Sequence, residues 1–289
     1  MAKVALIRGN NRYENVLSAL KCIEQEIREK IKDKKRIVIK PNFVSTHVQL
    51  AATHIDCVRA ILDFLAPLTD EKILIAEGAA LGETIEGFRS FDYLKLKQEY
   101  NIEFKDLNND EFSEVEIFSS DLTPLKIGVA KTILESDFRI SPAMLKTHDA
   151  VIATLSLKNM LVGSLDHKSR IHQGAKAINK SLAKLAEIIS PHLSIIDGFL
   201  GMENNGPVSG TPIEMKVALA GTDFLSVDSV GAHLMGFDIS QIGYLYYCKE
   251  QGLGEGDLEK IEILGNVSLQ EVKRTFKPHY SFQEQLNWR

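Results

Sequence analysis

The chain has 289 residues, of which 44% are hydrophobic and 25% charged, with 19 Gly and 8 Pro. That usage excludes a disordered or fibrous chain, and the length suits one large α/β domain or two smaller lobes. A formal net charge of -5 argues against general nucleic-acid binding, because duplex affinity is built from lysine and arginine neutralising phosphates. No apolar run approaches the roughly 18 residues of a membrane span. Cys22, Cys57 and Cys248 are far apart and odd in number, which gives no disulfide framework and no local thiolate site, and points to a reducing cytoplasm.

The opening MAKVALIRGN reads as a strand and turn rather than a signal peptide. Val16, Leu20, Ile23, Ile27 and Ile31 then recur at spacings of four, three, four and four, the apolar stripe of one helix. The basic run from Lys30 to Arg36 suits the negative end of that helix. RIVIKPN, residues 36 to 42, is a nearly continuous apolar strand closed by Pro41. Thr53 with Asp56 makes a capping-box-like start for a helix carrying Val58, Ile61, Leu62 and Leu65. KILIAEG, residues 72 to 78, is a third strand. Unalternated strands separated by helices indicate a parallel sheet covered on both faces, with ligands at the carboxyl ends of its strands. That rule singles out Lys40, Asn42 and Glu77. No glycine-rich nucleotide fingerprint follows any of these strands.

Residues 87 to 100 read as a helix, 102 to 108 as a fourth strand, and Asn108 to Lys131 as a hairpin-like excursion between two halves. The expected fold is therefore α/β, a mostly parallel sheet with helices on both faces. Residues 1–130 would form a Rossmann-like half and 131–289 a second α/β half, with the ligand cleft between them. In the second half, Phe138–Ile140 and Val151–Leu157 read as strands around a loop from Pro142 to Asp149. Ala175–Ile189 is a helix ending before Pro191. LSIIDG (193 to 198) and KVALAG (216 to 221) are strands, separated by a glycine-rich loop over 201–210. Ser226 is the expected cap of a further helix, followed by a helix over 240–251, a strand at 261–265, and a tail ending near Trp288. The tail could pack on the body or on a second subunit of a homo-oligomer.

Chemistry concentrates between Arg139 and Lys176. Arg139, Lys146, Lys158, Lys168, Arg170 and Lys176 face only Asp149 and Asp166 there, with His148, His167 and His172 among them. A local reversal of sign interleaved with apolar runs suggests basic groups at the edge of a core, hence an anion pocket. Lys158 follows the apolar ATLSL run, a setting that desolvates an amine and lowers its pKa. The expected catalytic residues are Lys158, His148 and His172, since imidazole moves protons near neutral pH. Lys40, Asn42, Lys146 and Asn159 are the expected substrate contacts. Asp197, Glu203 and Asp228 could meet at one sheet edge and hold a divalent metal. The ordinary alternatives are surface lysines, hydrogen-bonded loop histidines, and carboxylates that cap helices or pin turns. His167 reads as solvated, His192 and His233 as structural, and His47 with His54 as lacking a third ligand.

KTH (146 to 148), SLKN (156 to 159), His172, IDG (196 to 198), NGPVSG (205 to 210) and TDFLSVD (222 to 228), together with IKPN (39 to 42) and AEG (76 to 78), resemble the family catalogued as domain of unknown function 362. The resemblance runs through most of residues 1–240. Many members carry a ferredoxin-like segment with cysteine runs, which implies redox work. This chain lacks those cysteines, so it is not expected to ligate an iron-sulfur cluster. A weaker likeness is to the nickel-pincer lactate racemases, which use a lysine to hold the cofactor and histidines for acid-base work and the metal. His148, Lys158 and His172 have comparable order, whereas the racemases' other signatures are not evident. The expected function is an isomerase- or racemase-like enzyme, or another metal- or anion-dependent one, acting on a small anionic carboxylate or phosphate by lysine and histidine acid-base chemistry. No nucleic acid and no membrane are expected as partners. The alternative is a non-catalytic metal- or cofactor-binding accessory protein in iron-sulfur metabolism.

Overall fold

The computed structural model describes residues 1–289. In chain order the elements are β1 (Ala2–Arg8), α1 (Arg12–Cys22), α2 (Glu24–Ile31), β2 (Ile37–Ile39), α3 (Ile55–Leu65), β3 (Ile73–Glu77), α4 (Thr84–Ser90), β4 (Ile102–Asp106), β5 (Phe112–Phe118), β6 (Pro124–Ala130) and α5 (Lys131–Leu134). They continue with β7 (Phe138–His148), β8 (Ile152–Thr154), α6 (Ser156–Val162), α7 (Ala175–Ile189), β9 (Leu193–Glu203), β10 (Thr211–Gly221), α8 (Phe224–Leu234), α9 (Gly243–Glu250), β11 (Ile261–Gly265), α10 (Leu269–Val272) and α11 (Phe282–Gln285).

Nine strands form one sheet in the order β11-β1-β10-β9-β7-β2-β3-β4, with β8 paired to the end of β7; β5 and β6 make a separate hairpin. Pairing is parallel from β4 through β3, β2 and β7 to β9, antiparallel across β9, β10 and β1, and parallel again between β1 and β11. Side chains alternate between two cores, as the period of a strand requires. Val4, Leu6 and Val38 join one apolar cluster with residues of α6 to α9, while Ala5, Ile7, Ile37 and Ile39 join the other with α1, α2 and α3. The fold is thus α/β with a mostly parallel sheet covered on both faces. Strand β1 lies between β10 and β11, so a boundary at residue 130 does not cut the sheet. The two stretches meet along the β2–β7 seam and again on both sides of β1.

Several local expectations need correction. The Val16-to-Ile31 stripe is broken at Ile23, where one helix ends and the next begins. The cap of α3 is His54, whose ring accepts from the Asp56 N–H, and not Thr53. Residues 87 to 100 split between α4 and a 3-10 turn at Tyr93–Gln98. Asp223, not Ser226, caps α8 by accepting the Ser226 N–H at 3.0 Å. Strand β9 runs on to Glu203 and β10 begins at Thr211, which leaves 204–210 as the glycine-rich loop.

The largest difference concerns 142–157. Residues 142 to 148 are strand, not loop, and 156 to 162 are helix. Pro142 is tolerated inside β7 because of parity. The Ile140 carbonyl faces β2, accepting the Lys40 N–H at 2.8 Å. Pro142 therefore faces the same side, where β2 has already ended, and no ladder donor is needed. Its carbonyl instead accepts the Thr53 hydroxyl at 2.8 Å. The tail packs on the body of the same chain: Trp288 is buried beside Tyr246 and Tyr247 and donates its indole N–H to the Gln241 carbonyl at 2.8 Å.

A candidate anion site of buried lysines

Directly after β2 comes Lys40, which is fully buried (0% exposed) with its Nζ 2.5 Å from Glu77 Oε2 at the end of β3. Glu77 is itself held by the N–H groups of Phe43 (2.7 Å) and Gly78 (2.9 Å). Lys40 also donates to Asn159 Oδ1 at 3.1 Å. The same oxygen accepts from Asn42 Nδ2 at 3.0 Å. The Asn159 amide nitrogen donates to the Lys40 carbonyl and to Ser141 Oγ, each at 3.0 Å, which fixes the amide's orientation. Asn42 Oδ1 in turn accepts from Lys146 Nζ at 2.5 Å, and Lys146 also donates to the Ala51 carbonyl at 3.1 Å. A continuous buried chain therefore runs Glu77, Lys40, Asn159, Asn42, Lys146.

Lys158 stands beside this chain. It is only 6% exposed and has no hydrogen-bond or ion-pair partner. It lines a chamber of about 40 Å³ with Asn42, Glu77, Thr154, Gly163 and Lys168. Gly163 must be glycine, because a Cβ there would overlap the end of the Lys40 side chain. Lys168 reaches in from the rim and donates to Asn108 Oδ1 and to the Leu165 carbonyl.

The helix that carries Lys158 and Asn159 is held from a distance. Asp228 of α8 accepts the N–H groups of Ser156 and Leu157, both at 2.9 Å, at the start of α6. These are donors that an isolated helix leaves unpaired. Burial pushes the Asp228 carboxyl up to about 7, against the pull of those two backbone donors. Asp228→Asn presents an N–H where an acceptor is needed, and should cost ~2 kcal/mol in urea unfolding.

Lys40, Lys146 and Lys168 thus lie within electrostatic reach of Glu77, and Lys158 within reach of Asp149. Burial pulls Lys146 down to about 7, assisted by the nearby Lys158 charge and opposed by Glu77. Burial brings Lys158 to about 8, with Asp149 opposing and Lys40 assisting. Lys40 is also lowered by burial, against the attraction of Glu77. Both Lys146 and Lys158 therefore titrate near neutrality.

His148 behaves otherwise. Its Nδ1 accepts the Ala150 N–H at 2.9 Å and lies 2.9 Å from Asp149 Oδ1, two contacts that one nitrogen cannot serve in the same protonation state. Burial, then the Lys158 charge, takes it down to about 3, which leaves the acceptor role at Nδ1 and the proton on Nε2. His148 is therefore a neutral group near pH 7. His172 stands on the exposed rim, within electrostatic reach of Lys158 and His148. It lines a separate pocket of about 290 Å³ with Asp149, Glu284 and Gln285.

The structure brings together Lys40, Asn42, Lys146, Lys158 and Asn159, with His148 adjacent. It does not bring together Asp197, Glu203 and Asp228. Asp197 is buried against Arg12 at 2.9 Å, Glu203 accepts the Lys277 N–H at 2.9 Å, and Asp228 anchors α6. Each carboxylate is spent on its own structural partner, and no three His, Cys, Asp or Glu side chains converge as a metal-ligating group. His54 caps α3, while His192 stacks on Phe138 and accepts the Arg139 N–H. Two further residues take part beside those expected as catalytic, substrate-binding or metal-ligating. Glu77 had been marked only by its strand-end position, and Gln285 carried no signal; its amide donates to the His148 carbonyl at 2.9 Å and accepts the Ile152 N–H.

Residues 37–233 match the family described as Domain of unknown function (DUF362). Thylakoid-associated protein sll1697 of Synechocystis sp. is 24% identical over 220 residues, covering 73% of this chain and 66% of that protein. Among solved structures, the lactate racemase apoprotein from Thermoanaerobacterium thermosaccharolyticum superposes with a TM-score of 0.51 at 16% identity, over 85% of this chain and 56% of the racemase. The chain therefore spans less than two thirds of the length of either relative, and the likeness to the racemase is one of fold. No helix is long and apolar enough to cross a membrane.

Proposed function

The chain belongs to the DUF362 family, and we propose that it binds a small carboxylate- or phosphate-bearing metabolite in the lysine chamber and moves a proton on it. The observation that carries this reading is Lys158, a lysine only 6% exposed whose amine lines the chamber without a protein partner. Such a group is costly to keep in a protein interior, and an anion placed against it offsets that cost. Lys146 supplies the second component, an amine that exchanges its proton near neutral pH. Proton abstraction beside a carboxylate is the reaction class this pair suits. The name of the solved neighbour, a lactate racemase, is in keeping with a small carboxylate.

A ring-bearing nickel-pincer cofactor on Lys158 does not fit. The chamber of about 40 Å³ has room for roughly three water-sized groups, and its wall residues Asn42 and Asn159 are locked by their bonds to each other and to Lys146 and Lys40 behind them. No step is assigned to such a group.

Anion affinity should follow the charge on Lys146 and Lys158. Both amines are protonated below about 7 and lose their protons as pH passes about 7 and then about 8. Calorimetric titration with pyruvate or phosphate should therefore give tight binding near pH 6 and a loss of about tenfold or more by pH 9. Affinity that is flat or rises over that interval contradicts the reading. Solvent deuterium entering carbon-bound positions of the bound acid separates an enzyme from a carrier, since a carrier binds without exchange.

A further inference from the structure

We propose that Lys158 is an imine-forming lysine for the smallest 2-oxo acids, with Lys146, bonded to the chamber-wall residue Asn42, as the base. This rests on the anion-binding reading above and adds a covalent step to it.

The geometry of Lys146 comes first. A neutral amine has two N–H groups and one lone pair, and Lys146 has two acceptors, Asn42 Oδ1 and the Ala51 carbonyl. The neutral form is fully satisfied with its lone pair left over, whereas the third N–H of an ammonium has no acceptor. Asn42 cannot turn away, because its nitrogen is engaged by Asn159, whose own amide is fixed by the Lys40 carbonyl and Ser141. Asn42 and Asn159 are thus positioning residues for a base. Lys158 presents the complementary feature, an amine with neither donor duty nor ion pair, on a helix pinned by Asp228. A desolvated lysine beside another cationic group is the setting in which an amine becomes a nucleophile at neutral pH. The low pKa values of both amines agree with this arrangement.

Size and charge select the ligand. Room for roughly three water-sized groups in a chamber open to solvent admits the carbonyl end of a short acid. The surplus of lysine over the one carboxylate, Glu77, calls for an anion, and a nucleophilic amine calls for a carbonyl. In the step itself, neutral Lys158 Nζ adds to the carbonyl carbon, forming the C–N bond, and the carbonyl oxygen takes one proton from Nζ and one from solvent and leaves as water as the C–O bond breaks. The product is a protonated imine at the same oxidation level. The lone pair of Lys146 then accepts a proton from the carbon next to the imine carbon and returns it.

The test uses pyruvate as probe on the full chain. Incubation with pyruvate and cyanoborohydride, followed by peptide mass spectrometry, should place a reduced adduct on Lys158. The adduct should be absent in Lys158→Met and in the charge-preserving Lys158→Arg. Without reductant, solvent deuterium should enter the pyruvate methyl group, and Lys146→Met should slow that exchange by about tenfold or more. A melting curve with pyruvate is recorded in parallel. If pyruvate raises Tm but no adduct forms, the imine is overturned and the anion site stands. If it neither raises Tm nor forms an adduct, both fall. Adduct spread over surface lysines and unchanged in Lys158→Met also overturns the imine.

Discussion

Lys158→Met is expected to abolish anion binding while making the free protein more stable. Methionine matches the lysine stem in length and removes a largely dehydrated amine that has no protein partner. Replacing buried charge by an apolar group of similar volume is commonly stabilising by ~1–4 kcal/mol. The sign of the pH dependence checks the cause. The folded amine has a lowered pKa of about 8, below its ordinary unfolded value of about 10.4. Between those two pH values the unfolded chain binds more protons, so wild-type stability should rise with pH across that window and its burial cost should be complete below it. In Lys158→Met the rise should shrink, leaving the contribution of Lys146. Urea midpoints at pH 7 and pH 10 for both proteins decide the matter. A variant that is destabilised at pH 7 would mean that the wild-type amine has a partner after all.

Glu77→Gln should have the opposite effect. Glu77 is the only carboxylate among the lysines of the chamber, lies 2.5 Å from a fully buried Lys40, and holds the N–H groups of Phe43 and Gly78. Removing its charge leaves the Lys40 ammonium uncompensated, a change that costs ~3–5 kcal/mol. The loss should be largest at low pH and should ease as pH rises, because an unpaired Lys40 can then shed its proton. Lys40→Met in the same molecule should restore part of the stability, since the pair is worth little against an apolar filling and much against a half-broken one. Denaturant unfolding of the single and double variants measures the coupling. Additive losses would indicate that the two residues do not meet.

Much of the fold was legible because continuous apolar strands and one clean stripe, Ala175–Ile189, reflect local periodicity. Lys40, Asn42 and Glu77 were likewise legible from the rule about strand ends. What escaped depended on partners distant in the chain. SLKNMLV is a helix whose first donors are satisfied by Asp228, some 70 residues later, and nothing within the segment announces that cap. Pro142 reads as a loop until β2 is known to stop beside it. The insertion of β1 between β10 and β11 has no local signal either, which is why two halves were expected where one sheet exists. In the site, residue type suggested that histidine would carry the proton. Burial reversed the order, taking His148 down to about 3 and bringing Lys146 to about 7. The proposed metal carboxylates failed for a related reason. Asp197 and Asp228 were read as free ligands, and each is committed to a single distant partner, Arg12 or the start of α6.

A crystal structure grown with pyruvate or phosphate near pH 6 probes the lysine chamber most directly. The acid group is expected against Lys158 Nζ, within the walls formed by Asn42, Glu77, Gly163 and Lys168. Ligand seated only in the pocket of His172 and Gln285, with Lys158 still unpaired, would contradict the assignment.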